Sequence, residues 1–422
     1  MRIAIAGAGP AGLSAAIGFA RRGHEVDLFE RLDPNLGAHE ARDRSYPVDV
    51  TGKGMAALRA LDVVDAVMEF GHPFHGFMYG GKGRVVVRFD EVHGGPGTSF
   101  SRSGLSRGLL GVVQGDHGDT VRCHFDRRVE GVEPETGQLN VEAENGRHET
   151  HGPYALIVAA DGAGSAVRNA LERQGHVRSV DFGTPMFGVT LNLDHYTLDE
   201  NYLHLLAVVP SFIVAAAMKE GGGQCVYGFP GAAPAFDSVD DVRRLIRRTN
   251  PIVFDMVTDQ ELEAFATREA HDVGRGKWVD RVQVGRVVLL GDAGSPFPPC
   301  GQGVSNALQS AVVLDEILQA CDDDVSQALP RYEQERMPDI LALTEHASHI
   351  LGNLSFRAGP FWRPVKQLVR LAMWTVPRVP ALRERVAARE GWDDVRIAYR
   401  DNLKREGRTP QSPWRALSGD PK

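Results

Sequence analysis

Glycine and aspartate stand together where an apolar run of the chain ends. The run 286–290 leads into Gly291-Asp292, and a proline-rich stretch then reaches Gly301-Gln-Gly303, which opens a predicted helix. The Asp292 carboxylate can accept a hydrogen bond from a sugar hydroxyl, while free N–H groups at the helix N-terminus favour an anionic group. A flavin fits this layout, because reduction leaves negative charge on one edge of its ring. Taken alone, Gly-Asp is also an ordinary turn.

A second set of glycines lies at the N-terminus, between an apolar run at 2–7 and a predicted helix at 13–22. A further strand at 25–30 ends in an acid that can bind both ribose hydroxyls. The pattern predicts a dinucleotide site, against the alternative of a structural glycine-rich turn. The acid repels a 2′-phosphate, so FAD or NAD is expected rather than NADP. The residues concerned are Gly7, Gly9, Pro10, Ala11, Gly12 and Glu30.

A third glycine and acid pair, Asp161-Gly162, follows the apolar run 154–160. It lies far along the chain from both Glu30 and Asp292. Unrelated turns are a poor explanation for three such strand ends. If the strands belong to one parallel sheet, their carboxyl ends meet at one edge and can hold one long cofactor. We therefore expect the three segments to converge.

Length and composition limit the classes of protein that fit. The chain has 422 residues, of which 42% are hydrophobic, and this suggests two or three joined domains. A net charge of −8 argues against a nucleic-acid partner. The four cysteines are scattered without the spacing of a zinc site or a disulfide framework, so no metal is expected. The N-terminus begins directly in a predicted strand, and we expect a cytoplasmic protein that is a monomer or a homodimer.

The remaining pattern predicts the supporting elements. We expect a helix at 51–70, a hairpin at 77–89, a helix from 101, and strands at 121–125 and 140–144. A sheet of strands at 185–193, 202–209, 212–218 and 224–229 is expected to be covered by helices at 238–248 and 260–266. Long helices follow at 304–320 and 326–353, with Pro338 as a kink or an end. Region 361–390 is expected to pack on the protein rather than on a membrane, and the tail from Asp401 to fray.

The three motifs in combination resemble the class A, single-component FAD-dependent aromatic hydroxylases, the para-hydroxybenzoate hydroxylase group. The resemblance covers roughly the first 340 residues. The segments 101–110, 301–308 and 336–343 are most similar to kynurenine 3-monooxygenase and to indole-ring hydroxylases. The resemblance implies an α/β fold with an α+β insert: a Rossmann-like, GR2-type FAD-binding domain with a parallel sheet, an antiparallel-sheet substrate domain and C-terminal helices. The expected division is 1–70, 101–180 and 276–340 for FAD, 71–100 and 181–275 for substrate, and 341–422 for the helical region.

The same resemblance implies particular contacts. The Asp161-Gly162 segment would serve both the FAD pyrophosphate and a visiting NADH or NADPH. The helix mouth would stabilise the reduced flavin, and Pro298 would shape the wall where oxygen reacts. Further cofactor residues implied are Arg31, Arg42, Arg44, Arg102, Val129, Asp292, Gly301, Gly303, Val304 and Ser305. Candidate substrate residues on the central sheet, for which ordinary sheet packing is the alternative, are Phe187, Tyr202, His204 and Tyr227.

The chain departs from the kynurenine enzyme where that family binds the amino-acid head group of its substrate. The family's arginine has no counterpart in His75-Gly-Phe77, its asparagine aligns with Ile350, and its C-terminal tyrosine has no match in the stretch 375–380. The resemblance therefore implies a substrate other than kynurenine itself.

The expected reaction follows from the cofactor. NAD(P)H would reduce FAD, O₂ would add to form a C4a-hydroperoxyflavin, and one oxygen atom would pass to an electron-rich aromatic or indole-like small molecule. The protein would exclude water and orient the ring. No catalytic residue is assigned, although His72, His75 or His204 could act as a base. The alternatives are a flavin-dependent reductase or dehydrogenase that inserts no oxygen, and a non-catalytic FAD-binding protein.

Overall fold

The computed structural model describes residues 1–33, 47–81, 85–143, 146–207, 211–298, 300–354, 367–368, 371–372 and 374–408. Arg42 and Arg44 lie outside them. The strands are β1 (Arg2–Ala6), β2 (Glu25–Phe29), β3 (Pro47–Val50), β4 (Gly71–Phe74), β5 (Gly76–Tyr79), β6 (Val85–Arg88), β7 (Gly97–Ser101), β8 (Val121–His124), β9 (Arg127–Glu133), β10 (Gln138–Ala143), β11 (His148–His151), β12 (Leu156–Ala159), β13 (Ser179–Gly183), β14 (Met186–Leu193), β15 (Leu203–Ala207), β16 (Phe212–Ala217), β17 (Gly223–Pro230), β18 (His271–Asp272), β19 (Arg275–Val279), β20 (Gln283–Val284) and β21 (Val287–Leu289).

The α-helices alternate with these strands in the first half of the chain and dominate its last third. They are α1 (Pro10–Arg21), α2 (Gly52–Ala60), α3 (Val64–Met68), α4 (Phe89–Val92), α5 (Arg102–Asp116), α6 (Ala166–Arg173), α7 (Val239–Thr249), α8 (Pro251–Phe254), α9 (Asp259–Thr267), α10 (Gly303–Ala320), α11 (Val325–Leu354), α12 (Pro380–Glu390) and α13 (Tyr399–Arg405). None of the helices within the described ranges is long and apolar enough to cross a membrane.

A six-stranded sheet forms the first layer, in the order β20-β21-β12-β1-β2-β8. All neighbours in it are parallel except β20 and β21. Strand β1 is fully buried from Ile3 to Ala6, as expected for a parallel strand covered on both faces. Helices α1 and α10 pack against each other over this sheet. The predicted α/β fold with a parallel FAD-type sheet is therefore confirmed.

The second large sheet has seven strands in the order β18-β14-β17-β16-β15-β5-β6. The expected antiparallel pairing holds along β14, β17, β16 and β15, but β15 pairs with β5 in parallel. One face of this sheet packs on α7, α8 and α9 through an apolar cluster that includes Leu191, Ile213 and Phe265. These helices are the two that the sequence predicted, plus the single turn α8.

A small three-stranded sheet, β3-β7-β4, connects the two large sheets. Val48, Val50 and Phe100 on one of its faces belong to the core of the parallel-sheet layer. Phe74 on the other face packs in a cluster with Leu203 and Ala216 of the seven-stranded sheet. The small sheet is therefore the layer through which the two large sheets contact each other.

Two expectations for the helical parts of the chain, those for 51–70 and for the tail, differ from the structure, and one of the two alternatives for Pro338 is excluded. The expected helix at 51–70 is interrupted, because Asp62 takes a left-handed backbone conformation with φ of 57° and separates α2 from α3. Pro338 does not end α11, which continues through it to Leu354. The tail at 401–408 is ordered rather than frayed, since Leu403 of α13 is fully buried.

The segment 391–405 is held against the start of α2 and of α10. The Asp393 carboxylate accepts hydrogen bonds from the Thr51 hydroxyl and from the Lys53 N–H, the latter at 3.2 Å. The Tyr399 hydroxyl donates to Gln302 Oε1 at 3.0 Å, and Gln302 is the N-cap of α10. Burial lowers the pKa of the Lys53 ammonium, which donates to the Asp394 carbonyl.

A buried ion pair on α9, one of the helices that cover the seven-stranded sheet, yields a stability prediction. Glu261 on α9 pairs with Arg268 and accepts the backbone N–H of Asn192 at 2.7 Å. We expect Arg268→Ala to lower the free energy of unfolding by about 3–5 kcal/mol, because it leaves a buried carboxylate without its cation. The measurement is urea denaturation followed by circular dichroism. Arg244→Ala is the matched control, since the pair between Arg244 and Asp241 is exposed and its loss should change little. Equal effects of the two variants would contradict the argument.

Candidate functional site

The three predicted strand ends meet at the carboxyl edge of the parallel sheet. The register pairs Ala6 with Phe29 and with Ala159, and Ala159 with Leu289. The Gly7 N–H donates to the Phe29 carbonyl at 2.8 Å, which carries this pairing one residue past β1. Residues that follow these strands therefore lie side by side, and the expected convergence is found.

Glu30 follows β2 and binds the glycine-rich turn. One carboxylate oxygen accepts the Ala8 N–H at 2.8 Å, and the other accepts the Leu32 N–H at 3.0 Å. Each oxygen keeps a further lone pair for a ligand hydroxyl, because a carboxylate oxygen can accept two hydrogen bonds. The acid is thus fixed in place at the sheet edge and remains able to bind a diol.

Two glycines of the first turn are required by close packing. Gly7 has φ of 101°, and a Cβ there would lie 2.5 Å from the Ala160 carbonyl oxygen. A Cβ on Gly12 would lie 2.0 Å from the Gly7 carbonyl oxygen. Both side chains are excluded by protein backbone, so these two residues shape the turn rather than leave room for a ligand.

Other glycines of the motifs border open space instead. A Cβ on any of them would meet no atom within 4 Å. Such positions leave the backbone accessible along the sheet edge, and this open strip of backbone is called the groove below. They are Gly9, Gly162, Gly164, Gly301 and Gly303.

The Asp161 side chain caps a helix. Its Oδ2 accepts the N–H groups of Ala166 and Val167 at 2.7 Å and 3.2 Å, at the start of α6. Its Oδ1 is buried and makes no hydrogen bond within the described residues. The carboxylate therefore fixes the loop that follows β12, and the exposed backbone of Gly162 and Gly164 is the part that a ligand can reach.

Arg168 is a site residue that the sequence reasoning missed. Its side chain is 1% exposed, and it donates to the carbonyls of Ala163 at 2.6 Å and Ala293 at 2.9 Å. Desolvation lowers the pKa of this guanidinium, which still keeps its charge because its ordinary value is so high. Arg168 joins the loop after β12 to the turn at Asp292. The signal in the sequence was an arginine at the first turn of a helix that follows Asp-Gly.

The turn at Asp292 packs near the N-terminal ends of helices α1 and α10. Gly291 has φ of 57°, and a Cβ there would lie 3.2 Å from the Cβ atoms of Ala11 and Ala307. Helices α1 and α10 begin without a side-chain cap, whereas Ser101 caps α5. Their first N–H groups thus remain available to an anionic ligand, which the dipole of each helix also favours.

The segment leading to α10 carries the other predicted contacts. Pro298 is buried, and its Cγ lies 3.4 Å from the position of a Cβ on Gly183. Ser305 is fully buried, with its hydroxyl 2.6 Å from the position of a Cβ on Gly54 of α2. Its side chain is therefore turned toward α2, and Val304 beside it is half-buried.

Residues expected near the far end of the cofactor lie around Glu30. Arg31 is exposed and lines a cavity of about 270 Å³ together with Arg128 and Glu142. Val129 on β9 is 6% exposed and packs in the core. Arg102 begins α5, and its side chain lies outside the described part of the structure.

Three of the four candidate substrate residues lie on the face of the seven-stranded sheet that packs on helices, and the fourth, Tyr202, is half-buried just before β15. Tyr227 is buried in the cluster under α7 and α9, where it stacks on Phe229. His204 has both ring nitrogens bonded to carbonyls, those of Gly80 at 3.1 Å and Asp199 at 2.9 Å. Phe187 shares the strand face of Val189, which packs on the same helices. These placements favour a packing role.

Comparison with known proteins agrees with this geometry. Residues 1–347 match the family described as FAD binding domain. Kynurenine 3-monooxygenase of Salinispora arenicola is 29% identical over 363 residues, which cover 81% of this chain and 78% of that protein. The enzyme of the same name from Xanthomonas campestris strain 8004 is 28% identical over 366 residues, covering 82% and 77%. Klebsiella pneumoniae HpxO, solved with FAD and uric acid, has a TM-score of 0.69 at 21% identity and covers 94% of this chain and 96% of that one. The chain belongs to the FAD binding domain family and is a flavin-dependent monooxygenase.

Proposed function

We propose that this protein uses NADH or NADPH and O₂ to hydroxylate an electron-rich aromatic small molecule with FAD bound along the edge of the parallel sheet. The observation that carries the proposal is the convergence of Glu30, Asp161 and Asp292 at adjacent strand ends. One elongated ligand can reach all three, and FAD is the cofactor of the family.

The chain fits FAD on three counts. The groove is bordered by glycines whose missing Cβ atoms would point into open space, so a ligand can approach the backbone closely. Two helices without side-chain caps begin at it. The carboxylate of Glu30 is fixed by two backbone N–H groups at one end. These features correspond to what a pyrophosphate flanked by a ribose and a ring requires.

Each part of the chain then has a separate task. Glu30 would bind the ribose hydroxyls, the N-terminus of α1 at Gly9 the pyrophosphate, and Asp292 a hydroxyl of the ribityl chain. The N–H groups at Gly303 and Val304 would donate to the ring edge on which negative charge develops. The family resemblance adds Gly301, Ser305, Pro298, Val129, Arg31 and Arg102 to this set.

Bound FAD supplies the redox chemistry, accepting hydride equivalents from NAD(P)H and delivering one oxygen atom of O₂ to the substrate ring. The chain's own residues bind, orient and shield. The seven-stranded sheet, held to the parallel-sheet layer through β3, β7 and β4, would cover the face of the flavin against which the substrate ring lies. Excluding water there strengthens the electrostatic interactions of the site. The stretch His75-Gly-Phe77 offers no arginine to a substrate carboxylate, which favours a substrate without an amino-acid head group.

A test of the reaction compares consumption of NAD(P)H with and without aromatic compounds. The FAD-loaded protein is mixed with a panel of phenols, anilines and indoles, and NAD(P)H loss, O₂ uptake and hydroxylated product are measured together. We expect at least one compound to accelerate NAD(P)H oxidation by about tenfold or more and to gain one oxygen atom. NAD(P)H oxidation without oxygen in any product would instead indicate a reductase.

A second test addresses the FAD groove. Gly9 has ordinary backbone angles, φ of −77° and ψ of 178°, and a Cβ there meets no protein atom. Gly9→Ala should therefore fold with unchanged urea stability but lose FAD affinity by about tenfold or more, because the added methyl group occupies the space of the pyrophosphate. Flavin fluorescence measures the affinity. Gly111→Ala on α5, whose Cβ also meets open space, is the matched control and should keep FAD. Normal FAD binding by Gly9→Ala would place the pyrophosphate elsewhere.

A further inference from the structure

Asp49 is a carboxylate that the description of the FAD groove leaves without a role. It lies on β3, two residues before the N-cap of α2, and β3 packs against both α10 and β17. Strand β3 therefore lies between α10 and the seven-stranded sheet, and Asp49 is on the face of β3 that is turned toward that sheet. The side chain is half-buried, whereas its neighbours Val48 and Val50 are buried in the core on the opposite face of β3.

A polar row crosses the small sheet at Asp49. The register pairs Asp49 with Ser99 of β7 and Ser99 with His72 of β4, so the three side chains share one face. The Ser99 hydroxyl donates to Asp49 Oδ1 at 2.7 Å. Asp49 Oδ2 has no partner among the described residues. Phe74 belongs to the same face and packs on Leu203 and Ala216, which shows that this face is turned toward the seven-stranded sheet.

A second polar row lies on the facing surface of the seven-stranded sheet. Ala216 pairs with Gln224, and Gln224 pairs with Asn192. The Gln224 Nε2 group donates to Asn192 Oδ1 at 3.1 Å. The Gln224 Oε1 atom is buried and has no hydrogen-bond partner within the described residues. Gln224 is only 9% exposed. A buried acceptor without a donor is costly, so Gln224 Oε1 is suited to accept a hydrogen bond from an O–H or N–H group of a ligand.

The charge at Asp49 is sensitive to its surroundings. Burial raises the pKa of its carboxyl to about 6, although the hydrogen bond from Ser99 lowers it. Among the described residues no charged group contributes to this pKa. Of the elements packed on β3, β7 presents Ser99 and β17 presents Gln224 to Asp49, whereas the Ser305 hydroxyl of α10 is turned toward α2. Tyr196 also lies within electrostatic range: its buried hydroxyl has no partner among the described residues, and burial, with a smaller contribution from the charge of Asp49, raises the pKa of its phenol. His72 stands one strand beyond Ser99 and bonds to the Glu200 carbonyl at 3.1 Å.

We propose that the pair of Asp49 and Ser99 accepts the hydrogen of a ring O–H or N–H on the substrate and takes up that proton during hydroxylation. This inference rests on the proposed function and narrows its substrate class to phenols and to heteroaromatics or anilines that carry an N–H. In the stated chemistry Asp49 is the base, and Ser99 is a positioning residue that keeps one carboxylate oxygen occupied so that the other faces the substrate.

The proton account is complete within the reaction. As the ring carbon forms its bond to oxygen, the electrons of the O–H or N–H bond move into the ring and the proton passes to Asp49. The ring then loses its own hydrogen as a proton to restore aromaticity, and this proton combines with the second oxygen atom, which leaves as water. Asp49 returns its proton to the heteroatom. Overall, substrate, O₂, NAD(P)H and one proton give hydroxylated product, NAD(P)⁺ and water.

The first experiment measures binding without turnover. Oxidised, FAD-loaded protein is titrated at pH 8 with two matched pairs of probes, phenol with anisole and indole with 1-methylindole, and the flavin spectrum reports affinity. We expect the donor-bearing member to bind about tenfold tighter in the wild type, because a hydrogen bond to a charged acceptor is strong. In Asp49→Asn the preference should fall to about threefold or less. Asp65→Asn, an exposed carboxylate on α3, is the control and should keep it.

The second experiment observes the carboxyl group itself. Infrared difference spectra of wild type and Asp49→Asn should contain a protonated-carboxyl band that disappears as pH rises through about 6. The folded protein binds this proton more tightly than the unfolded chain, so the free energy of unfolding falls as pH rises from about 4 to about 6. Asp49→Asn should therefore be more stable than wild type at pH 8 and equal to it at pH 4.

The outcomes separate this inference from the proposed hydroxylation. The role of Asp49 is overturned if wild type and Asp49→Asn prefer the donor-bearing probes equally. It is also overturned if the wild type binds no donor-bearing probe. Both conclusions hold even if some aromatic compound is hydroxylated. A retained preference in Ser99→Ala at pH 8 overturns the positioning role of Ser99. If binding and infrared results are as expected but no aromatic compound is hydroxylated, the donor site stands and the proposed reaction fails.

Discussion

Parallel pairing of β2, β1, β12 and β21 is the constraint on which the rest of the structure depends. Each strand comes from a different part of the chain, and the register sets their carboxyl ends level with one another. A slip of one residue would turn every side chain of a strand to the opposite face and would disrupt its packing against the layers on both sides of the sheet. The hydrophobic core thus fixes the relative positions of Glu30, Asp161 and Asp292.

The sequence predicted the parts of the site that depend on local chemistry. Glycine spacing at Gly7, Gly9 and Gly12 reflects backbone geometry within a single turn, and the acids follow apolar runs that can only be buried strands. It missed Arg168, because that side chain joins the nearby Ala163 carbonyl to the Ala293 carbonyl, which lies 125 residues further along the chain. The interruption at Asp62 was missed for another reason: apolar residues keep a helical spacing through it, while the backbone turns.

The central sheet shows why the substrate residues were harder to choose. Its strands carry apolar or aromatic residues on both faces, since one face packs on helices and the other on the small sheet. Alternation alone does not say which face is which. Tyr227 and His204 were selected as large or titratable side chains, and such side chains also serve in a packed layer when each polar atom has a partner. Asp49 carried no motif and stood out only once the three-stranded sheet was known.

The docking of segment 391–405 has a consequence for biosynthesis. Tyr399 and Asp393 contact the residues that begin α10 and α2, so the helix mouth is fully supported only after the last helix has formed. A ribosome exposes that helix long after the glycine-rich turn has emerged. During translation the nascent chain can therefore assemble the parallel sheet before the N-terminus of α10 has its full set of contacts. The N-terminus of α10 is therefore completed later in synthesis than the glycine-rich turn.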